Sequence, residues 1–466
     1  MAGKGNIMDV TISNVITIYQ PTQQIVDWCK KNLVLSNPEY DKKLRMGFWT
    51  GKTPRTIELF EKVGNYYYLP FGTLKSIWPL IKESEPEIEF WEPEIVDYGG
   101  HDVPLYDYQQ KAVDRMVMAR YGILQSPAGS GKTQMGIALV KYYNRRALWI
   151  THTADLLNQS KQRALQYIDE NVIGTITEGK INIGKGITFA TVQTLANIDL
   201  VRYKNYWDVI IVDEAHHVSG SPTTVTQYSR VLNNLSARHK YGLSATAHRS
   251  DGLIEATFAL IGGIAYTVPE DSVSTKIMRV GVYPQATGVG LSNECLNPDG
   301  TLSYTGMIGY LTKNEDRNRR IIDDVIKERD HSCLILSDRL EHLAKLITIL
   351  PPEMQAYAPM ISGRTDKDIR NRVLESMRQG KLKYLFATYS LAKEGLDIPR
   401  LDRLFMATPI KDYAVVVQAL GRIARTYPGK EAPIAYDYVD NIGYCKSAYK
   451  QRTRHYKKIN AYYVGD

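Results

Sequence analysis

Residues 126–133 read SPAGSGKT, and this short segment decides the fold. It comes directly after the apolar run YGILQ (121–125) and directly before a helical pattern, QMGIALVKYY (134–143). Glycines in such a segment let backbone N–H groups close around phosphates, and the helix that follows points its N-terminus at them. A glycine-rich turn that arose by chance is the alternative. The flanking strand and helix favour a phosphate-binding loop within a parallel α/β sheet.

The loop assigns a chemical role to two of its residues. Lys132 is expected to neutralise the β- and γ-phosphates of ATP, and the Thr133 hydroxyl to hold Mg²⁺. Ser126 stands where the general pattern has glycine, so serine must accept the backbone conformation of that position. A second GKT, at 51–53, precedes Pro54 and follows no apolar strand, so it is assigned no nucleotide. The predicted nucleotide-binding residues of the loop are Ser126, Pro127, Ala128, Gly129, Ser130, Gly131, Lys132 and Thr133.

A second motif, DVIIVDEAHHV (208–218), is a fully apolar strand that ends in acidic residues. A carboxylate at the end of a parallel strand lies beside the phosphate loop, where Mg²⁺ is needed. Asp213 is therefore predicted to hold the metal through water, and Glu214 to orient and deprotonate the attacking water. His216 has no partner at metal-ligand spacing, so it is predicted to couple the ATP site to Gln418.

A third motif, QALGRIART (418–426), carries a glutamine and two arginines at helical spacing. If a helix begins at a cap formed by Asp412, then Gln418, Arg422 and Arg425 share one face, which suits a phosphate. A solvated basic stripe is the alternative. The opposite face is expected to be buried, with Val416, Leu420 and Ile423.

The order of the segments predicts three domains. Residues 1–95 are rich in Trp, Tyr and Pro and are expected to form a small α+β accessory domain. From about residue 120, apolar runs alternate with helical patterns, which predicts parallel sheets covered on both faces. They form two sets, so we expect α/β domains at 96–268 and at 269–466, the second ending in a basic tail. Residues 283–311 show little periodicity and are expected to form a surface excursion. The predicted strands are YGILQ, RALWITHT, GITFATV, WDVIIVDEA and HKYGLSAT, and then HSCLILSD, KYLFATYS, DRLFMAT and PIAYDYV.

Composition narrows the class of protein. The 466-residue chain has a formal net charge of +8, which permits a polyanionic partner without requiring one. Its four cysteines lie far apart and are expected to be thiols in a reducing cytosol. No apolar run approaches the ~20 residues needed to cross a bilayer, and the start lacks the apolar core of a signal peptide. We therefore expect no membrane partner and a cytoplasmic location.

Together the motifs resemble DEAH-like helicases of superfamily two, especially the XPB-like group and the phage recombination helicases of the UvsW type. The resemblance covers about residues 100–440. It implies two RecA-like parallel-sheet domains in tandem and one ATP, with Mg²⁺, in the cleft between them. It also implies an ATP-dependent DNA helicase or translocase that acts on forked or branched DNA in recombination, replication or repair. DNA is then the partner, as a single-stranded tracking strand plus a fork or junction.

The resemblance carries further roles onto this sequence. LYDYQQKAV looks like the glutamine motif that reads adenine, and LSATAHRSDG like the Ser-Ala-Thr motif with an Arg-x-Asp-Gly element. The implied nucleotide contacts outside the loop are Gln109, Gly395 and Asp397. The implied DNA contacts are Thr151, Thr191, Gln193, Arg249, Ser337 and Thr388. The implied coupling residues are His216, Ser244 and Thr246. The implied catalytic residues are Lys132, Thr133, Asp213, Glu214, Gln418, Arg422 and Arg425, the two arginines as fingers.

The sequence is also compatible with other functions and with other roles for its aromatic residues. The same motor serves RNA, so an RNA-directed ATPase is the first alternative, and an ATP switch that binds without moving is the second. Aromatic residues at 66–68 are more often core than base-stacking groups. The basic, tyrosine-rich tail (443–466) suits backbone contact with stacking, or equally a helix that packs its tyrosines and exposes its lysines.

Overall fold

The computed structural model describes residues 8–464, except 93, 128, 220, 246–252, 274–277 and 395. Four predicted site residues, Ala128, Thr246, Arg249 and Gly395, lie outside the described residues. The chain forms two compact units: the first extends to Pro269, and the second begins at Glu270 and also includes Gly129 and Ser130. Within the described part, no helix is long and apolar enough to cross a membrane.

The N-terminal part of the first unit builds a five-stranded sheet in the order β5-β6-β2-β1-β7. Its strands are antiparallel except for the β1–β7 pair, and β3 and β4 form a separate two-stranded antiparallel sheet. Tyr67 on β6 is buried, whereas its neighbour Tyr66 is exposed, because side chains alternate along a strand. The elements are β1 (Asp9–Ile12), β2 (Val15–Tyr19), α1 (Gln23–Asn32), β3 (Val34–Ser36), α2 (Pro38–Arg45), β4 (Thr56–Glu58), β5 (Glu61–Val63), β6 (Tyr66–Pro70), α3 (Leu74–Ile81) and β7 (Glu87–Ile88).

The rest of the first unit is an eight-stranded sheet in the order β11-β10-β12-β9-β13-β14-β8-β15. All pairs are parallel except β10–β11. Its central strand β13 is the run VIIV, completely buried, as expected of a parallel strand covered on both faces. The elements are α4 (Asp107–Ala119), β8 (Gly122–Gln125), α5 (Lys132–Tyr143), β9 (Ala147–Thr151), α6 (Ala154–Ala164), β10 (Ile173–Thr177), β11 (Lys180–Asn182), β12 (Ile187–Thr191), α7 (Val192–Leu195), β13 (Val209–Val212), α8 (Pro222–Asn234), β14 (His239–Ser244), α9 (Ile254–Ile261) and β15 (Ile264–Thr267).

The second unit contains a seven-stranded, fully parallel sheet in the order β18-β19-β17-β20-β21-β16-β22. The elements are α10 (Glu270–Val273), β16 (Gly281–Gly290), α11 (Tyr304–Lys313), α12 (Glu315–Lys327), β17 (Cys333–Ser337), α13 (Leu340–Ile349), α14 (Pro352–Gln355), β18 (Met360–Ile361), α15 (Lys367–Arg378), β19 (Tyr384–Thr388), α16 (Tyr389–Glu394), β20 (Arg403–Met406), α17 (Tyr413–Ile423), β21 (Ile434–Asn441), α18 (Gly443–Lys458) and β22 (Tyr462–Tyr463).

The predicted fold class is confirmed, because two α/β sheets with parallel strands follow a smaller mixed α/β part, and each predicted strand is present. The prediction for residues 283–311 is wrong. Ten residues, Gly281–Gly290, form β16 between β21 and β22, and Tyr304–Lys313 forms α11. Glycines and Pro284 in β16 hide its strand pattern, because such residues are uncommon within strands.

The N-terminal sheet shares its core with the eight-stranded sheet. Val225 of α8 and Ala256 and Ala259 of α9 belong to the same buried cluster as the strands β1, β2 and β6. The fully buried Lys240 of β14 donates hydrogen bonds to the carbonyl oxygens of Leu232, at 2.8 Å, and of Asn14 in the N-terminal part, at 3.3 Å. The N-terminal sheet is therefore built onto the first unit through apolar and polar contacts.

Candidate nucleotide and nucleic-acid site

The phosphate loop leaves β8 and enters the N-terminus of α5 at Lys132. Gly129 and Gly131 both have left-handed φ angles, of 80° and 81°, which side chains rarely adopt. A Cβ on Gly131 would lie 2.4 Å from Nε2 of Gln109, so the end of that side chain would have to shift to make room for it. Ser126 does not adopt a positive φ, and serine is therefore accepted at the position where the general pattern has glycine. The loop has the shape that a polyphosphate requires.

Asp213 lies at the carboxyl end of β13, buried beside the loop's sheet edge. Ser160 Oγ donates a hydrogen bond to its Oδ2 at 2.9 Å, and the Glu214 N–H donates to its Oδ1 at 2.9 Å. Burial, and then the negative charge of Glu214, raises the pKa of Asp213 to about 6. Lys132 and Ser160 act in the opposite direction. A divalent cation bound here would favour the ionised carboxylate further.

Glu214 is held in an uncommon backbone conformation. Its φ is +47°, in the left-handed region that a glutamate seldom adopts. Its Oε1 lies 3.9 Å from Nζ of Lys132, and its Oε2 lies 3.4 Å from Nδ1 of His216. The predicted base and the predicted phosphate-binding lysine thus meet at one point, where a terminal phosphate and an attacking water can be held together.

A row of histidines joins this point to the next strand ends. His216 Nδ1 lies 3.3 Å from Ser244 Oγ, which brings two predicted coupling residues together. The His216 and His217 rings lie 4.3 Å apart, and His217 stacks on His152 with centroids 4.9 Å apart and planes within 6°. Gln193 donates a hydrogen bond to the His152 carbonyl oxygen at 2.9 Å.

Three of these residues, Ser160, His152 and His217, had no predicted role in the site. Ser160 and His152 are both in the segment ALWITHTADLLNQS, which also contains the implied DNA contact Thr151, and that proximity was the available signal. His217 follows His216, and its stacking on His152 needs the three-dimensional order of β9 and β13.

Two predicted nucleic-acid contacts are corrected by burial. Thr151 is fully buried, and its hydroxyl donates to the Thr153 carbonyl oxygen at 3.0 Å. Ser337 is also fully buried, with its Oγ 3.0 Å from His342 Nδ1. Neither side chain can reach a phosphate, because the final residue of each strand points into the unit.

The other predicted contacts vary in exposure. Thr191 caps α7, is 6% exposed, and pairs its hydroxyl with that of Thr194 at 3.0 Å. Gln193 and Thr388 are partly exposed, and the Thr388 hydroxyl lies 3.1 Å from that of Ser390. Gln193 and Thr388 therefore keep a surface that a backbone phosphate can contact, whereas the Thr191 side chain is buried.

The second unit carries its polar groups on and after α17. The Asp412 side chain accepts the Val415 N–H at 3.0 Å, which confirms the predicted cap. The predicted apolar face is also buried. Gln418 is buried on the helix, and Arg422 Nε donates to the Ala392 carbonyl oxygen at 2.8 Å. The buried residues of the apolar face are Val416, Leu420 and Ile423.

Arg425 differs from its prediction, because α17 ends at Ile423 and Arg425 lies beyond it. Its guanidinium makes an ion pair with Asp397, one of the implied nucleotide contacts. The two predicted nucleotide-contacting groups of this segment therefore meet each other, and the continuous helical stripe from Gln418 to Arg425 is not present.

The donor set fits a nucleotide with its metal. A polyphosphate is suited by the glycine-rich loop, by Lys132 and by the N-terminus of α5. Thr133 and Asp213 supply oxygen ligands, which Mg²⁺ prefers. Among the described residues, no group of three or more His, Cys, Asp or Glu could hold a metal ion by itself. A cation at this site would thus need oxygen ligands from phosphate or water as well.

Comparison with known proteins covers both units. The family model "Type III restriction enzyme, res subunit" matches residues 102–249, and the model "Helicase conserved C-terminal domain" matches residues 317–427. These regions contain the phosphate loop, Asp213, Glu214 and α17.

Three relatives are similar over most of the chain. A putative ATP-dependent RNA helicase, L396, of Acanthamoeba polyphaga mimivirus is 25% identical, over 80% of this chain and 74% of its own. The DNA 3'-5' translocase XPB2 of Sulfurisphaera tokodaii is 26% identical, over 69% of this chain and 79% of its own. The ATP-dependent DNA helicase uvsW of Enterobacteria phage T4 is 23% identical, over 87% of this chain and 84% of its own.

Proposed function

The chain belongs to helicase superfamily two, and from this premise we propose that it is an ATP-driven DNA helicase or translocase that acts on forked or branched DNA. One observation carries the proposal. Lys132 and Glu214 converge at the end of a glycine-rich loop, beside the buried carboxylate of Asp213. ATP hydrolysis needs a cation that binds the terminal phosphate, a base that accepts a proton from water, and a carboxylate that holds the metal.

In the proposed reaction Lys132 binds the β- and γ-phosphates of ATP, and Thr133 and Asp213 would hold Mg²⁺. When bound, the metal would neutralise part of the phosphate charge. Ser160 fixes the Asp213 carboxylate, and Glu214 orients the water and accepts its proton. From the family resemblance, Gln109 would contact the adenine, and Gln418, Arg422 and Arg425 would stabilise the charge that develops on the γ-phosphate. Alternation between ATP-bound and released states would move nucleic acid held by Gln193 and Thr388.

DNA is favoured over RNA by two observations. Two of the reported relatives are named as acting on DNA, and one of them matches 87% of this chain. The segment EGLDIP and the Arg-x-Asp-Gly element also resemble the DNA-directed group. The second candidate, an RNA-directed ATPase, is favoured by the viral relative that is named as a putative RNA helicase.

Recognition of branched DNA is assigned to the N-terminal part, residues 1–95, with the motor at 96–268 and 269–466. A surface segment around the end of α2 exposes Phe48 and Trp49, and Trp49 is 88% exposed. Five basic side chains that can meet phosphates are near these rings in the sequence: Lys42, Lys43, Arg45, Lys52 and Arg55. Lys43 makes an ion pair with Glu39 at 2.9 Å, whereas the other four are exposed.

The deciding experiment compares substrates. ATP hydrolysis is measured with single-stranded DNA, duplex DNA, RNA and no polymer, and unwinding with forks, loops and four-way junctions. We expect stimulation by DNA, and unwinding or branch migration of branched DNA. Lys132→Ala is the control, and it should abolish both because the γ-phosphate loses its main cation. Stimulation by RNA alone would favour the second candidate, and ATP-dependent binding without strand separation or movement would indicate a switch.

A further inference from the structure

The last helix, α18, carries basic side chains on one face. Lys446, Lys450, Arg454 and Lys457 are all exposed. Their spacings of four, four and three residues place them in one line along the helix. At 1.5 Å per residue this line is roughly 17 Å long. We call these four side chains the basic stripe.

The opposite face of α18 fixes the direction of the stripe. Arg452 is buried, with its Nη2 2.6 Å from Oδ1 of Asp437, and its Nε donates to Oδ2 at 2.9 Å. The Tyr456 hydroxyl, also buried, donates to the same carboxylate at 2.6 Å. Cys445 and Ala448 complete the buried face. The helix is thus anchored from behind, and the stripe points outward from a rigid support.

The charges of the basic stripe are not neutralised within the protein. In the described part of the chain, none of its four side chains takes part in an ion pair or a hydrogen bond. The carboxylate of Asp412 is exposed, and its negative charge acts on His455 of this helix. The same carboxylate caps α17 by accepting the Val415 N–H. The positive potential of the stripe is therefore available to a polyanion outside the protein.

The neighbouring aromatic side chains show which polyanion fits. Tyr456 is buried, Tyr449 packs against the core of the second unit, and Tyr444 packs edge-on against Tyr304 at 5.4 Å. The stripe therefore lacks the stacking surface on which single-strand sites depend. A straight row of cations instead suits phosphates at a regular spacing. Its length corresponds to about five base-pair steps of duplex at 3.4 Å each.

We propose that the basic stripe binds the phosphate backbone of duplex DNA, as a contact distinct from the motif residues that hold the tracking strand. This inference rests on the proposed function, and it adds a second DNA surface to it. Such contacts carry no base information, so the stripe would hold duplex of any sequence.

The test uses the full chain with K446Q/K450Q/R454Q/K457Q. Binding to a labelled blunt 30-base-pair duplex and to a 30-nucleotide single strand is measured by fluorescence anisotropy over a range of NaCl concentrations. We expect duplex affinity at low salt to fall about tenfold or more. The slope of log K against log[NaCl] should become shallower by about 3–4, since each phosphate contact contributes about 0.9. Single-strand binding and the ATPase rate at saturating single strand should stay near the parent values.

A matched variant, K313Q/R319Q/R329Q/K381Q, removes the same charge from other exposed positions of the second unit. The proposal is overturned if this variant loses as much duplex affinity, because net charge alone would then explain the effect. It is also overturned by unchanged duplex binding in the stripe variant, or by an equal loss on single strands. Failure of the proposed function is visible separately, as a parent protein whose ATP hydrolysis no nucleic acid stimulates.

Discussion

At the scale of single residues, Glu214 connects an unusual backbone to the reaction. Its left-handed φ of +47° brings the carboxylate to Lys132 and His216. Glu214→Gln keeps the shape and removes the base, so the variant should bind ATP near normally. Hydrolysis should slow by ~10²–10⁴-fold. Nucleotide binding by equilibrium titration and turnover by phosphate release test this, and a variant that fails to bind ATP would assign Glu214 a structural or metal-holding role instead.

Lys240 supports a second prediction at this scale, about stability and pH. Burial lowers its pKa to about 7, whereas an unfolded lysine titrates near 10.4. Between these values the unfolded chain binds more protons, so this residue makes stability rise with pH from about 7 to 10. Below about pH 7 its destabilising contribution is complete. Lys240→Met removes it, and the stability of the variant relative to the parent should therefore be higher at pH 6.5 than at pH 9.5.

The measurement is the urea midpoint of both proteins at the two pH values. The lost hydrogen bonds to Leu232 and Asn14 lower the variant's midpoint by an amount that does not depend on pH. Exposed Lys30→Met is the control and should show no such pH-dependent difference. A relative stability of Lys240→Met that is constant with pH would contradict the buried, shifted amine.

At the scale of elements, α17 and the segment after it separate two arginines that the sequence treats alike. Arg422 lies on the helix, whereas Arg425 lies beyond it and pairs with Asp397. Because both arginines are proposed to stabilise the transition state, Arg422→Ala and Arg425→Ala should each lower turnover by ~10³–10⁵-fold. ATP affinity should change far less. Exposed Arg372→Ala is the control. If Arg422→Ala or Arg425→Ala keeps full turnover, that arginine takes no part in hydrolysis.

The helices and strands also show which parts of the fold could be predicted from the sequence. Runs such as VIIV and CLILS predicted buried parallel strands, because a strand covered on both faces is apolar throughout. The positions of the motif residues at the ends of these strands followed from the predicted strands. Strand β16 could not be predicted, because its Gly and Pro residues conceal the pattern. The burial of Thr151 and Ser337 and the pairing of Arg425 with Asp397 depend on side-chain directions that spacing does not define.

At the scale of the whole molecule, the N-terminal part both stabilises the first unit and, in our proposal, selects branched DNA. Removing residues 1–95 would uncover Val225, Ala256 and Ala259 and take away a partner of Lys240. Such a deletion would lose stability together with any DNA contact. A surface variant of the full chain therefore tests branch recognition more sharply than the deletion does.

Phe48→Ala/Trp49→Ala/Lys52→Gln/Arg55→Gln changes only exposed side chains. We expect affinity for forked DNA and the rate of its unwinding to fall about tenfold, since stacking of one base is worth ~1–3 kcal/mol. ATP hydrolysis stimulated by single strands should stay near the parent rate. The matched control is Lys30→Gln/Lys31→Gln on α1, which removes two charges elsewhere. An equal loss on forked and single-stranded substrates, or no loss, would rule out branch recognition by this surface.

The strand order of the second unit also has a consequence for synthesis on the ribosome. β16 is made early, yet both of its neighbours, β21 and β22, come much later in the chain. At ~5–20 residues per second, the chain from Gly290 to Ile434 takes on the order of ten seconds to emerge. During that interval β16 has neither edge paired, and its backbone groups are open to other nascent chains. The Gly and Pro residues that conceal the strand pattern of β16 also make it a poor template for such pairing. They therefore protect the nascent chain from association until β21 and β22 have been synthesised.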